Sequence, residues 1–366
     1  MIEPYSHKPD YLKYKDQYDK AIFNEISKGD FVNGESVKKL EKQLENYLNV
    51  KNAICVSSGT DALLLSLLAL DIKKGDEVIT TPLTWISTSE VILFLGAKPI
   101  FVDIDRETYN IDYTKIEEKI TEKTKVILPV SLFGQICDLE KIMEIAKKYN
   151  LYVIEDGAQS FGSINKNIKS CSYADISCTS FYPTKPLGCW GDGGACFTNN
   201  EKLAYKIKCL RNHGGIKRDS IKFTGLNSRM DSIQASILII KLNHLDESLD
   251  ERIKIANRYN EKLKNIDNLI LPKNFCDKHV YAQYTVLMKN EDIRNKFRNF
   301  MEEKGIRLSI FYPKPLYEEI PIKKFKSYCK NTDEICDRCI SLTCYDGLNI
   351  EDQDYIISKI KKFFNI

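Results

Sequence analysis

The sequence contains little that would suit a membrane or a metal ion. It has no apolar run of about 18 residues, the length at which a membrane-spanning helix becomes a candidate. Only 4 histidines occur among its 366 residues, which argues against a histidine-rich metal site. The N-terminus is polar and carries no signal-peptide core, so we expect a cytoplasmic protein with no membrane partner.

An excess of positive charge is also missing. Lysine and arginine number 54 against 51 aspartates and glutamates, whereas a nucleic-acid-binding protein is normally clearly basic. We therefore expect no nucleic-acid partner. There is no Walker phosphate-binding loop and no Gly-x-Ser-x-Gly elbow. In GCWGDGGACF the dinucleotide-binding pattern fails, because Cys196 stands where the third glycine should be.

Cysteine, by contrast, is plentiful, with 12 residues in segments that are typical of strands and helices. In an intracellular enzyme of this length we expect reduced, buried thiols rather than a disulfide framework. Cys329, Cys336, Cys339 and Cys344 contain a single CxxC pair, and a zinc site would need a second close pair. EICDRCISL (334–342) is instead typical of an amphipathic helix. We expect no metal site.

Predicted strands and helices alternate from residue 52 onward, and the strands are nearly continuous apolar runs. This pattern predicts an α/β fold with a mostly parallel central sheet and helices on both faces. A long helical stretch then runs to about Leu263. We predict a large domain over residues 1–250, including an N-terminal helical segment, and a smaller α+β C-terminal domain over residues 251–366. The smaller domain would contain a strand at IRLSIFYP (306–313).

The junction after the first predicted strand, NAICV (52–56), is a candidate anion site. The strand runs into SSGTDALLLSLLAL, where a turn opens an apolar helix. Free backbone N–H groups at a helix N-terminus favour an anion, and here Gly59 permits close approach while Thr60 offers a hydroxyl. A simple helix cap by Ser57, Ser58 or Thr60 fits the same residues, and the sequence leaves both interpretations open.

A second candidate site follows the strand LYVIED (151–156). In an open α/β sheet, ligands bind outside the carboxyl ends of the strands, which is where Asp156 falls. A glycine comes next, and we predict that Ala158 to Phe161 forms the first turn of a short helix. Since Asp156 and Gln159 are three residues apart, both side chains could then point into one site.

Lys185 lies in TSFYPTKPLG, where Pro183 and Pro186 make a stiff loop that fixes its position. Pyridoxal phosphate chemistry requires a lysine for a Schiff base, an acid opposite the pyridine nitrogen and a partner for the ring hydroxyl. Lys185, Asp156 and Gln159 together supply these three groups. Taken singly, Lys185 also fits a surface lysine and Asp156 an ordinary helix cap.

Five sequence blocks together resemble the DegT/DnrJ/StrS family of sugar aminotransferases. In family order they are VSSGTDALLLSLLAL, TPLTWISTSE, VIEDGAQSFGS, TSFYPTKPLGCWGDGGA and GLNSRMDSIQA. With flanking matches, the resemblance covers the chain from about Gly29 to about Tyr312. It implies a fold-type I pyridoxal 5'-phosphate enzyme that forms a homodimer, with active sites at the subunit interface.

The resemblance also implies roles for individual residues. Lys185 would form the Schiff base and later move the proton, and Asp156 would pair with the pyridinium nitrogen. Gln159 would lie by the ring hydroxyl, and Trp85 would stack on the ring, although Trp85 also fits simple core packing. The coenzyme phosphate would be held by Gly59, Thr60, Ser180 and, from the second subunit, Asn227. The nucleotide-sugar site would be lined by Gly29, Phe31, Thr184, Arg229 and Tyr312.

The activity implied by the resemblance is transfer of an amino group from an amino acid, expected to be L-glutamate, to a sugar. The acceptor would be the C3 or C4 keto group of a UDP- or dTDP-linked sugar. Two alternatives stay open, a pyridoxal-phosphate-dependent sugar dehydratase and a non-catalytic regulator that binds the coenzyme. Lys185 argues against the family dehydratases that carry histidine in its place. Many members have His-Tyr-Pro where this chain has Phe311-Tyr312-Pro313, which leaves the sugar's identity open.

Overall fold

A computed structural model describes residues 1–217, 219–325 and 327–366. Its strands are β1 (Asn52–Val56), β2 (Glu77–Thr80), β3 (Lys98–Phe101), β4 (Thr124–Leu128), β5 (Tyr152–Asp156), β6 (Ile164–Asn165), β7 (Ile168–Lys169), β8 (Ile176–Ser180), β9 (Gly194–Thr198), β10 (Leu269–Ile270), β11 (Tyr284–Met288) and β12 (Cys339–Leu342). Its helices are α1 (Lys8–Lys13), α2 (Lys15–Lys28), α3 (Glu35–Leu48), α4 (Gly59–Ala69), α5 (Ser87–Phe94), α6 (Leu139–Tyr149), α7 (Glu201–Leu210), α8 (Ser232–Asn243), α9 (Leu245–Leu263), α10 (Glu291–Glu303), α11 (Lys330–Arg338) and α12 (Ile350–Phe363).

The central sheet has 7 strands in the order β1-β9-β8-β5-β4-β2-β3. Neighbouring strands from β8 to β3 are parallel, whereas β9 runs antiparallel to both β1 and β8. All strands except β9 therefore end at the same edge of the sheet, where ligands bind in open α/β folds. The mostly parallel α/β sheet predicted from the sequence is confirmed.

Helices cover both faces of this sheet, as β1 illustrates. Ala53 and Cys55 belong to a buried cluster with residues of α3 and α8. Ile54 and Val56 belong to a different cluster, with residues of α4 and α7. Because successive side chains of a strand point to opposite faces, a strand buried on both faces must be apolar throughout. This explains the unbroken apolar run AICV (53–56).

The C-terminal part of the chain has a hydrophobic cluster of its own. It is formed largely by α9 after residue 254, by β11, β12, α10 and α12, with Tyr259, Tyr284, Phe297, Ile340 and Ile360 all fully buried. Strands β10, β11 and β12 form a separate antiparallel sheet beside these helices. Helix α9 passes through residue 250 without interruption, and the division into domains at that residue stays a prediction.

Two local predictions in the C-terminal part were wrong. The segment 334–342 is not one helix, because α11 ends at Arg338 and Cys339 begins β12. Residues 340–342 continue the pairing with β11, which favours their extended conformation over a further helical turn. The segment 306–313 contains no strand, since it pairs only at isolated bridges, Ile306 with Ile2 and Ser309 with Ser341.

The predicted helical turn from Ala158 to Phe161 was also wrong. Two consecutive tight turns occupy this region, closed by the hydrogen bonds Ser160 N–H to Gly157 O (3.1 Å) and Ser163 N–H to Ser160 O (2.8 Å). Polar side chains at Gln159 and Ser160 bond to other segments, and such bonds compete with helix formation.

No helix in the described ranges is long and apolar enough to cross a membrane. All 12 cysteines are free thiols, and all are buried except the half-buried Cys276. Nor do the described residues contain a group of 3 or more His, Cys, Asp or Glu side chains that could hold a metal ion.

Candidate active site

Asp156 is the last residue of β5 and lies at the carboxyl edge of the central sheet. Its backbone joins the segment after β4, through Asp156 N–H to Pro129 O (2.9 Å) and Ser131 N–H to Asp156 O (3.0 Å). Its carboxylate accepts hydrogen bonds from Thr88 Oγ1 (2.9 Å) and the backbone N–H of Ala158 (3.2 Å). The carboxylate is therefore held by α5 on one side and by the turn after β5 on the other.

The Asp156 carboxylate is buried without a cation in contact with it. Its side chain is 5% exposed, and no Lys, Arg or His of the described residues lies within ion-pair distance of it. Burial raises the pKa of Asp156, while the bonds from Ala158 and Thr88 and the charge of Lys185 oppose that rise. A cationic ring nitrogen placed against this carboxylate would supply the missing counter-charge.

Gln159 is buried, and its side-chain amide accepts one hydrogen bond and donates another. Its Oε1 accepts from the backbone N–H of Phe133 (3.0 Å), and its Nε2 donates to the hydroxyl of Tyr312 (3.0 Å). These bonds set which end of the amide faces which neighbour. Tyr312 in turn lies 6.3 Å from Trp85, measured between ring centroids. The structure thus brings Gln159, Tyr312 and Trp85 together.

Trp85 is 60% exposed and lies two residues before α5. Core packing therefore does not explain its position. An exposed indole beside a half-buried tyrosine offers an aromatic face to a flat ligand.

The start of α4 has the features expected of an anion site. Ser58 is the helix cap, since its side chain accepts from Asp61 N–H (3.0 Å). No described residue accepts a hydrogen bond from the backbone N–H of Gly59 or Thr60. A Cβ built on Gly59 would lie 2.7 Å from the Cβ of Ser180, so only glycine allows these two segments to approach so closely. Gly59, Thr60 and Ser180 are consequently brought together.

Lys185 lies on a loop whose base is closed by a hydrogen bond from Cys189 N–H to Phe181 O (2.8 Å). Within the loop, Lys185 N–H donates to Tyr182 O (2.9 Å), and a Cβ on Gly188 would lie 2.4 Å from Pro183 O. The loop is therefore tightly folded on itself. Its lysine is half-buried, and burial lowers the pKa of the amine although the Asp156 carboxylate raises it. Thr184, the preceding residue, is exposed.

A second group of predicted residues lies around Asn227. Arg229 Nε donates to Asn227 Oδ1 (2.9 Å), and neither side chain bonds to Asp156, Gln159 or Lys185 in the part of the chain that the structure describes. Phe31 is close in the backbone, because Ser232 N–H donates to Phe31 O (2.9 Å). Gly29, with a φ of 69°, ends α2 just before it. Gly29, Phe31, Asn227 and Arg229 therefore lie on two segments that are joined through the backbone, and the second segment also meets the start of α4, where Ser57 N–H donates to Ser228 O (3.0 Å).

Sequence reasoning missed Thr88 and Phe133. Thr88 is 1% exposed and holds Asp156 from α5, and the Phe133 backbone fixes Gln159. A signal existed for Thr88, since STSEVILF places it beside an apolar run in one helix, and buried polar positions need partners. No signal exists for Phe133, because its contact uses a main-chain N–H that every residue except proline carries.

Comparison with known proteins agrees with this geometry. The sequence model of the DegT/DnrJ/EryC1/StrS aminotransferase family matches residues 14–361 of this chain. A UDP-2-acetamido-2-deoxy-3-oxo-D-glucuronate aminotransferase from Pseudomonas aeruginosa is 40% identical over 352 residues, or 95% of this chain and 96% of the relative. A dTDP-3-amino-3,6-dideoxy-alpha-D-galactopyranose transaminase from Aneurinibacillus thermoaerophilus is 38% identical over 360 residues, or 96% of each chain.

A solved structure shares the fold over the whole chain. The crystal structure of S. venezuelae DesV in complex with a ketimine intermediate superposes with a TM-score of 0.96 at 28% sequence identity. That match covers 100% of this chain and 98% of DesV. With a family match over most of its length and relatives of this similarity, the chain is an aminotransferase of the DegT/DnrJ/EryC1/StrS family.

Proposed function

We propose that this aminotransferase uses pyridoxal 5'-phosphate to move an amino group from an amino acid, L-glutamate, to a keto sugar in the cytoplasm. The acceptor is the C3 or C4 keto group of a UDP- or dTDP-linked sugar. The relatives named above, a UDP-sugar aminotransferase and a dTDP-sugar transaminase, support this class of acceptor.

The observation that carries the proposal is the uncompensated Asp156 carboxylate. It is buried, held by two donors and without a cation in contact among the described residues. Such a group stabilises a positive charge brought to it, and the protonated pyridine nitrogen of the coenzyme is a charge of that kind. Lys185, with an amine whose pKa is lowered by burial, supports the same proposal.

The remaining parts of the site fit the coenzyme as well. The free N–H groups of Gly59 and Thr60 at the start of α4 suit its phosphate, and Ser180 adds a hydroxyl beside them. The donor end of the Gln159 amide suits the ring hydroxyl. Trp85 suits one face of the ring.

When bound, pyridoxal phosphate supplies an electron sink for the negative charge that develops at the substrate carbon. Lys185 would take a proton from that carbon and return it elsewhere, which requires a neutral amine. Burial favours this state, because it lowers the pKa of Lys185 towards neutral pH. Asp156 would keep its negative charge against the ring nitrogen, and the hydrogen bonds from Thr88 and Ala158 stabilise that charge.

We assign Gly29, Phe31, Thr184, Arg229 and Tyr312 to the sugar nucleotide. Thr184 adjoins Lys185 and Tyr312 adjoins Gln159, so both are near the reacting groups. Arg229 instead bonds to Asn227, and Phe31 bonds through its backbone to Ser232 of the same segment. We propose that Gly29, Phe31, Asn227 and Arg229 serve the active site of the other subunit of a homodimer.

Exposed apolar side chains between residues 23 and 32 support a dimer. Phe23, Ile26, Phe31 and Val32 are exposed by 68%, 54%, 47% and 46%. Apolar groups collected on one surface are typical of an interface. Mixing the inactive variants Lys185→Ala and Asn227→Ala would test the shared site, because a mixed dimer has one site with both residues intact. Recovered turnover would support sharing, and no recovery from dimers shown to exchange subunits would contradict it.

The direct test is the visible absorbance of the purified protein with pyridoxal phosphate, before and after L-glutamate is added. We expect a band of the lysine-bound coenzyme that glutamate converts to the pyridoxamine phosphate spectrum. Turnover would then be measured with UDP- and dTDP-linked 3-keto and 4-keto sugars.

Other outcomes of this test would favour other functions. Sugar product formed without an amino donor would indicate a dehydratase. A coenzyme band that no amino acid changes, together with no turnover of any keto sugar, would indicate a regulator. Absence of any band in the wild-type protein would contradict the assignment of Lys185.

A further inference from the structure

Glu155 precedes Asp156 on β5 and is fully buried, with an exposure of 0%. Its Oε1 accepts hydrogen bonds from Ser131 Oγ (3.0 Å) and Ser170 Oγ (2.7 Å). Its Oε2 accepts from the backbone N–H of Cys171 (2.8 Å) and from Ser177 Oγ (3.1 Å). An ionised carboxylate has about four acceptor positions, so these donors saturate it. Nothing in the function proposed above uses this group.

The donors to Glu155 come from separate segments of the chain. Ser131 lies in the loop after β4, Ser170 and Cys171 follow β7, and Ser177 is on β8. Glu155 therefore ties three segments to β5 at the carboxyl edge of the sheet. Because its partners are buried, breaking one of these bonds leaves a polar group without a replacement from water.

Two of these segments lead directly to Gln159. Ser131 is two residues before Phe133, whose backbone N–H donates to Gln159 Oε1. Ser170 also bonds to Ser160 Oγ at 2.6 Å, and Ser160 is the neighbour of Gln159 in the chain. Gln159 is thus held between two segments that Glu155 connects.

Gly157 shows how closely the turn after β5 is pressed against one of these segments. A Cβ at Gly157 would lie 2.5 Å from Cys171 Sγ and 3.1 Å from Ser170 Oγ. No room remains for the turn to shift towards that segment. A change in the position of residues 170 and 171 would therefore move the turn that carries Gln159.

We propose that Glu155 is a positioning residue, which sets the orientation of Gln159 by joining the loop after β4 to the segment after β7. It does not touch the coenzyme or the substrate. The inference rests on the proposed function, in which Gln159 contacts the ring hydroxyl of pyridoxal phosphate.

The test compares Glu155→Gln with Asp175→Asn. Glutamine keeps the shape of Glu155 but replaces one acceptor oxygen by a donor group. Asp175 is a matched control, because its carboxylate also accepts from β5, at Val153 N–H (2.8 Å), but at the other end of the strand. Ser170→Ala, which removes one donor only, replaces Glu155→Gln if that variant does not fold.

We expect Glu155→Gln to weaken pyridoxal phosphate binding about tenfold and to shift the pH titration of the coenzyme absorbance band. Asp175→Asn should lower the Tm and leave both coenzyme properties unchanged. In a Gln159→Ala background, Glu155→Gln should have no further effect on coenzyme affinity, since the two residues act as one unit. Equal lowering of Tm by both carboxylate variants, with coenzyme binding unchanged, would overturn the proposal.

A second measurement needs no coenzyme. Hydrogen–deuterium exchange of peptides covering residues 129–137 reports the Phe133 N–H bond to Gln159, and Glu155→Gln should accelerate it while Asp175→Asn does not. Unchanged exchange would count against the proposal. Failure of the wild-type protein to bind pyridoxal phosphate would instead contradict the proposed function, and the two failures are therefore distinguishable.

Discussion

Asp156 and Glu155 are consecutive buried carboxylates on one strand, and their surroundings differ. Glu155 accepts hydrogen bonds from Ser131, Ser170, Cys171 and Ser177, whereas Asp156 accepts from Thr88 and Ala158 alone among the described residues. Since successive side chains of a strand point to opposite faces, the two groups serve different sides of the sheet. Burial raises the pKa of both, and the hydrogen bonds oppose that rise in each case. The saturated carboxylate is structural, and the incompletely satisfied one is free to interact with a ligand.

The largest effect on turnover is expected from replacing Lys185, which belongs with Asp156 in the proposed active site. Lys185→Ala should lower turnover by about 10³-fold or more, because the proposed mechanism uses this amine both for covalent attachment and for proton transfer. Lys185→Arg retains a positive charge and should be equally inactive. Both variants should keep the Tm of the coenzyme-free wild type, as measured by circular dichroism. Normal turnover in either variant would remove Lys185 from the mechanism.

Asp156→Asn should have the next largest effect. Loss of the charge proposed to face the ring nitrogen should lower turnover by about 10²-fold and weaken coenzyme binding. Steady-state kinetics at saturating coenzyme separates the two effects. If Glu155 has only a positioning role, Glu155→Gln should lower turnover less than Asp156→Asn does. If the two variants were equally impaired, the distinction between the carboxylates would be lost.

Thr88→Val should produce a smaller change, since it removes one of two donors to Asp156 and keeps the side-chain shape. We expect coenzyme affinity to fall about tenfold. Thr80→Val is the matched control, because Thr80 is also buried near this edge of the sheet but donates to Leu128 O (2.8 Å). Titration of the protein with pyridoxal phosphate measures both variants. A similar loss of affinity in the two would mean that Thr88 acts only through packing.

The smallest expected effect concerns stability without coenzyme. The pKa of Asp156 is raised in the folded protein, so between its ordinary value of 3.8 and the raised value the folded state binds more protons than the unfolded state. Stability is then lost as pH rises through this window. Asp156→Asn has no such loss and should be more stable than wild type by about 1 kcal/mol at pH 7.

Urea unfolding of the coenzyme-free proteins measures this difference. The advantage of Asp156→Asn should shrink as pH falls and disappear below 3.8, where the wild-type carboxyl becomes protonated in both states. Glu155→Gln should be less stable than wild type at pH 7, because it leaves donors without acceptors. If Asp156→Asn and Glu155→Gln changed the free energy of unfolding in the same direction, the contrast between the two carboxylates would be contradicted.

The sheet and the position of Asp156 could be predicted from sequence because they follow from local patterns. The runs AICV (53–56) and LYVI (151–154) are continuously apolar, which is typical of strands buried on both faces. The end of such a strand is then fixed by the first polar residues, here Glu155 and Asp156. Strands β1 and β5 can be recognised in the sequence because they are buried on both faces.

The partners of Glu155 could not be predicted in this way. Ser131, Ser170 and Ser177 are ordinary serines in the sequence, and only the folded chain brings them to one carboxylate. For the same reason the turn at residues 158–161 was misassigned, since its conformation follows from bonds to Phe133 and Ser170. The contributions of a second subunit, proposed for Asn227, lie beyond the contacts of a single chain.

The junction of Gly59 with Ser180 has a consequence for how the protein is synthesised. A Cβ at Gly194 would also collide with Ser58, at 2.5 Å, so β1, β8 and β9 must all be in place around the start of α4. The pairing of Asn52 with Thr198 spans 146 residues. A ribosome must therefore release more than half of the chain before the proposed phosphate site can form, and binding of the coenzyme there by the nascent chain would have to await β9.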